Sequence, residues 1–204
     1  MKKVLVMMLA LCMVLTGCGS STPEVTTTEA PSGPMTFEQL QEKYKRKSWD
    51  EFIADPLGFV RDFRNSMELS KEEWTQDWSV FEFVDDKTLP YYEGNVVFFN
   101  QPFEVHVWER GYAPGLNGIM IVGGTDIDLL FDSFKQIFET GIQELGDPKE
   151  LINHYDTVSE ADFRKALDGP FEFLDSYSAS WSSDLFHFKV TITNFKDHAT
   201  LQLL

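Results

Sequence analysis

The chain is poor in cysteine, in positive charge and in long apolar runs. Its two cysteines, Cys12 and Cys18, both lie near the start. From Gly19 onward there is no thiol. The body of the chain therefore has no internal disulfide, no thiol nucleophile and no cysteine-ligated metal site. Lys and Arg total 17 against 33 Asp and Glu, a formal net charge of -16. A nucleic-acid binder needs a basic footprint, which this balance excludes. An anionic lipid surface repels such a domain for the same reason. The composition suits a solvated acidic protein, or one whose partner is cationic. The N-terminal apolar run, Val4 to Leu15, is about 12 residues long, too short to cross roughly 30 Å of hydrocarbon as a helix. There is no Gly-x-Ser-x-Gly elbow, phosphate loop, dinucleotide glycine fingerprint or His-Glu-x-x-His. No catalytic residue, cofactor or metal set is selected, and a non-enzymatic reading is preferred.

The short apolar run suits a secretory signal. Lys2 and Lys3 give it a positive start, and small residues, Thr16 and Gly17, follow its end. Leu15-Thr16-Gly17-Cys18 resembles the lipobox of bacterial lipoproteins. The resemblance covers about the first 18 residues and says nothing of the domain behind them. It implies cleavage before Cys18, a diacylglyceryl thioether on Cys18, and anchoring at the extracytoplasmic face of a cell membrane. Two acyl chains hold stably where one does not. The chain then divides into a signal peptide at 1–17, a lipidated Cys with a tether at 18–34, and a single domain at 35–204.

Gly19 to Pro34 is rich in Ser, Thr and Pro and nearly free of apolar residues. Such a segment cannot bury enough surface to offset chain entropy and is expected to be disordered. As a flexible coil it reaches roughly 20–25 Å. Its composition resembles the spacers of Gram-positive lipoproteins.

Residues 35–204 are phenylalanine-rich, with 18 Phe in the whole chain, so an aromatic core is expected. The first third reads helical. Thr36-x-x-Gln39, Ser48-x-x-Glu51 and Ser70-x-x-Glu73 are capping boxes, and Asp55-Pro56 starts a further helix. From Val80 the period changes to strand. Strands are expected near Val80–Val84, Val96–Phe99, Phe103–Trp108 and Ile119–Val122, with tight connection Asn100-Gln101-Pro102 and a longer loop Gly111–Gly118. In Phe103–Trp108 the apolar Phe103, Val105 and Val107 alternate with Glu104, His106 and Trp108. Asp126 to Leu145 carries the strongest helical stripe, with Thr125 as expected N-cap and Gly146 as stop. A short helix spans Ser159–Leu167. Strands follow, with Phe171, Phe173, Tyr177, Ala179 and Trp181 on one parity and Ser176 to Ser182 on the other. This order predicts an α+β fold: a twisted antiparallel sheet packed on one face by helices, with a helical N-terminal third. A helix ending in Leu145-Gly146-Asp147-Pro148 between strand hairpins resembles the helix-on-sheet domains of the β-lactamase-inhibitor-protein-like group. That implies the same architecture and no particular residues.

Candidate sites are few. The histidines, His106, His154, His187 and His198, show no local metal-pair spacing. His106 and His187 both fall on polar strand parity and read as solvated, with a meeting on the sheet as the alternative. Asp126, Asp128 and Asp132 read as helix-dipole compensation, since the long loop of a Ca²⁺ site is missing. Gly123-Gly124 reads as a turn. The serines from Ser176 to Ser182 read as a solvated face or a hydrogen-bonding platform. Tyr112, with Trp108 nearby, is the ligand-contact candidate, because exposed loop aromatics favour binding. The expectation is a membrane-anchored extracellular binding or interaction module for a protein or glycan. The alternatives are a cell-envelope hydrolase and an inhibitor or immunity-type protein.

Overall fold

A computed structural model describes residues 35–69, 79–83, 87–109, 116–182 and 186–204. The expectations for Cys18, for the tether at 18–34, for the Ser70 helix and for Tyr112 fall outside them. Among the described residues the helices are α1 Phe37–Lys45, α2 Trp49–Ala54, α3 Pro56–Leu69, α4 Ile127–Leu145 and α5 Glu160–Leu167. None is long and apolar enough to cross a membrane. The strands are β1 Ser79–Phe83, β2 Lys87–Phe98, β3 Gln101–Glu109, β4 Leu116–Gly124, β5 Glu150–Asn153, β6 Asp156–Thr157, β7 Ser176–Ser182, β8 His187–Asn194 and β9 Ala199–Leu203. They form one antiparallel sheet of nine strands, ordered β1-β2-β3-β4-β9-β8-β7-β5-β6. The predicted α+β class holds, and β1 and β6 are the outermost of the described strands.

The local signals explain the helices. Thr36 and Ser48 accept from the backbone of Gln39 and Glu51, whose side chains cap in return. Asp55 Oδ1 accepts from Gly58 N at 2.8 Å, and Pro56 takes the first helical position. In α4 the N-cap is Asp126, one residue later than expected, accepting from Leu129 N at 3.1 Å. Gly146 ends that helix at φ 81°.

One face of the sheet is the core. Val96 and Phe98 of β2, Val105 and Val107 of β3, and Met120 and Val122 of β4 lie on it. Across the centre Leu203 faces Met120, and Leu201 faces Val122. Val190 and Ile192 of β8 and Ala179 of β7 continue the layer to Leu151 of β5. Every helix adds to this core, through Leu40, Phe52, Phe59, Phe134 and Phe163 in chain order. The helical N-terminal third is therefore packed on the sheet. Phe59 sits edge-on to Tyr44, Phe52, Phe98 and Phe99, with centroids at 4.9 to 5.8 Å.

Three sequence readings change. Gly123 and Gly124 are not a turn. They lie in β4 without positive φ, and a Cβ on Gly124 would come within 3.3 Å of Leu130, so the small residue admits α4. The β2–β3 connection is Phe99-Asn100, both left-handed at φ 53° and 58°, as a two-residue hairpin of type I′ requires. Phe171 and Phe173 are not on a strand, since β7 begins only at Ser176, after Leu174 at φ 69°.

Candidate functional site

The end of the sheet where β5 and β8 finish and β7 and β9 begin carries an unusual surface. Tyr155 is 96% exposed, Phe173 56%, Leu174 59% and Phe195 41%. They come from three adjoining segments: the β5–β6 turn, the 171–175 loop and the β8–β9 turn. His154 N donates to Ser176 O at 2.6 Å, and Leu174 N to Asn194 O at 2.9 Å. Buried Asn194 ties two of the segments down. Its Nδ2 donates to Phe171 O at 2.9 Å, and its Oδ1 accepts from Lys196 N at 2.9 Å. His154, Leu174 and Lys196 all take left-handed backbone, at φ 56°, 69° and 77°. Each such residue costs on the order of 1–3 kcal/mol and persists only where its surroundings enforce it. Large apolar side chains are thus held out to solvent on over-determined backbone. Around them stand Asp156, Glu172, Asp175 and Asp197, with His154 Nε2 3.2 Å from Asp175 Oδ1. Asp197 is held below the usual carboxylate range chiefly by its hydrogen bond to His198.

A second cluster lies on the face of the sheet that no described helix covers. The Phe99-Asn100 turn sets Phe98 opposite Gln101, and counting back along both strands brings Glu93 opposite His106. Glu104 is two positions from His106 on the same face. His106 Nε2 lies 2.7 Å from Glu104 Oε1. Its Nδ1 contacts the Tyr91 hydroxyl, which donates to Glu93 Oε2 at 3.3 Å. Burial, then Glu93, pushes the Tyr91 phenol up to about 12. Donor atoms of Glu93, Glu104 and His106 lie within 4.8 Å of one another, a spacing that fits one metal ion. A third feature, a recess of about 220 Å³ lined by Trp49, Asp50, Ile53, Asp132 and Ser133, is smaller than ordinary ligand pockets of roughly 300–1,000 Å³.

The sequence-predicted residues land as follows. Trp108 is half-buried on the face that no described helix covers, opposite Tyr91 and Asn117. His187 does not meet His106: β4 and β9 separate β3 from β8. Burial, then Arg64, lowers the His187 pKa. Ser178 and Ser180 do not stand in solvent. Both are buried, and Thr191 Oγ1 donates to Ser178 at 3.0 Å. Asp126 caps α4, and Asp132 pairs with Lys135 at 2.6 Å, so the acidic trio is not gathered on one point. Sequence reasoning missed the exposed turns entirely, and it missed Glu93 as a neighbour of His106. No protein-family model, curated protein or solved structure matches the chain.

Proposed function

We propose that the protein is a lipid-anchored binding module on the extracytoplasmic face of a bacterial membrane, of Gram-positive type. Its ligand surface is the turn end of the sheet. The observation that carries this reading is the group Tyr155, Phe173, Leu174 and Phe195, solvent-exposed on turns whose backbone is left-handed at His154, Leu174 and Lys196. Exposed apolar patches mark interaction sites, and apolar side chains ringed by carboxylates suit a protein with an apolar recess bordered by basic groups. An inhibitor or immunity-type protein is a special case of the same reading. Residues 15–18 support the anchor, and the Ser/Thr/Pro-rich stretch behind them supports a tether that lets the domain stand off the bilayer.

The test compares envelope proteins co-purified with the full chain and with a Tyr155→Ser, Phe173→Ser, Leu174→Ser variant. The expected result is a partner retained by the first and lost by the second at equal thermal stability. A partner held equally by both removes this surface from the reading. Separately, Cys18→Ala is expected to abolish lipid labelling and leave uncut precursor. A variant still processed and still membrane-held would exclude the anchor.

A further inference from the structure

We infer that Glu93, Glu104 and His106 bind one divalent transition-metal ion of borderline softness, zinc being the type, with Tyr91 as the group that orients the imidazole. The site is separate from the turn end, and neither reading depends on the other.

His106 Nδ1 contacts the Tyr91 hydroxyl, which also lies 3.3 Å from Glu93 Oε2. The tautomer with its ring proton on Nδ1, toward Tyr91, leaves the Nε2 lone pair facing Glu104 Oε1 at 2.7 Å. In that tautomer a cation between the two acceptors satisfies both, and the placement of Glu93, Glu104 and His106 suits a metal ion.

Glu93 and Glu104 bring two carboxylates to one imidazole, a donor set that suits a divalent ion. The donor atoms already lie within 4.8 Å of one another. Around tetrahedral zinc, arms of about 2.0–2.1 Å place neighbouring donors about 3.3 Å apart. The Nε2 to Oε1 separation of 2.7 Å therefore needs to open by only about 0.6 Å. The backbone need not move, because Glu93 and His106 are direct cross-strand partners and Glu104 is on the same strand as His106. His106 has only 17% of its side chain exposed, whereas Glu104 has 46%. The imidazole is fixed and a carboxylate is free to swing. One imidazole with two carboxylates leaves a coordination position open to solvent, and nitrogen among the donors selects against Ca²⁺ and Mg²⁺. A ligating histidine characteristically donates its other ring N–H to an outer partner, which here is Tyr91.

The experiment titrates Co²⁺ and Zn²⁺ into the full chain carrying Cys12→Ser and Cys18→Ser, so that no thiol competes. One equivalent of Co²⁺ is expected to give ligand-field absorption, and Zn²⁺ to displace it and raise Tm. His106→Gln is expected to abolish both effects. Tyr91→Phe should weaken binding about 10- to 100-fold, the usual consequence of losing an outer partner. His187→Gln, on a distant strand, should change nothing. Glu93→Gln and Glu104→Gln keep side-chain shape and carry the comparison if His106→Gln or Tyr91→Phe lowers Tm in chelator. Absence of binding, binding unchanged by His106→Gln, or preference for Ca²⁺ over Zn²⁺ overturns the assignment.

Discussion

The two faces of the sheet are made by the same strands and obey different rules. On the helix side, neighbouring residues across β4, β9 and β8 are Val122, Leu201 and Ile192, all buried apolar groups. One residue along, the other side presents Ile121, Gln202, Thr191 and Ser178 in register. The first face is held by exclusion of water and by shape. On the second, hydroxyls pair across strands, Thr191 with Ser178 and Ser176 with Thr193, and the side chains retain choices of partner. That difference places stability on one side of each strand and chemistry on the other.

The sharpest way to break the comparison is to put the same change on both faces of one strand. Leu201→Lys places an unpaired charge at a fully buried position between Val122 and Ile192, so no cooperatively folded chain is expected. Gln202→Lys, its immediate neighbour, should shift stability by no more than about 1 kcal/mol. Circular dichroism melts of the two variants decide it, and similar Tm values would show the faces to be equivalent. Next in size, Phe59→Ala removes a ring from the centre of the aromatic cluster and should cost about 3–5 kcal/mol in denaturant unfolding. Gly141→Ala comes third. A Cβ there would approach the Trp181 ring to 2.6 Å, so overpacking of about 1–3 kcal/mol should outweigh a helix-propensity gain of up to about 1 kcal/mol. A variant more stable than the parent would mean that α4 can lift from β7 without cost.

A fourth test uses pH. Burial, then Asp175, pushes the Tyr177 phenol up to about 12, against about 10 in an unfolded chain. The folded state holds this proton more tightly. Its contribution is complete below about pH 10 and is lost as pH rises toward 12. Tyr177→Phe should therefore flatten the alkaline limb of the stability profile; an unchanged limb places the loss elsewhere. The smallest effect is expected from Thr191→Val, on the face that no described helix covers. It deletes the hydrogen bond to Ser178 and should cost about 0.5–1.5 kcal/mol.

Much of the helix face was legible in the sequence, because its signals are local. Capping boxes at Thr36 and Ser48, the stripe of α4 and the alternation of Phe103, Val105 and Val107 each arise within a few residues of chain. The turn end was hidden because its backbone breaks rules that sequence reading depends on. Phe171 and Phe173 continue the parity of Tyr177, yet both lie in the loop that turns at the left-handed Leu174 before β7 begins. The β5–β6 hairpin turns at His154-Tyr155 without glycine, and only the flanking Asn153 and Asp156 hint at it. The metal-type cluster was hidden for a different reason. Glu93 meets His106 only through register, and register follows from a turn at Phe99-Asn100. Placing the connection at Asn100-Gln101-Pro102 loses the pairing.

The position of β9 also bears on time. It lies between β4 and β8 in the finished sheet, yet it is the last of the described strands to be synthesised. A chain emerging in order completes β1 to β4 and then β7 and β8 while the strand that must join them is still missing. During that interval both inner edges offer unpaired backbone to any passing strand. Pairing of β4 with β9 spans a long stretch of sequence, and such closures are slow. The molecule's most vulnerable moment is therefore late in its making, and a factor that shields open strand edges should raise its yield more than one that assists helix formation.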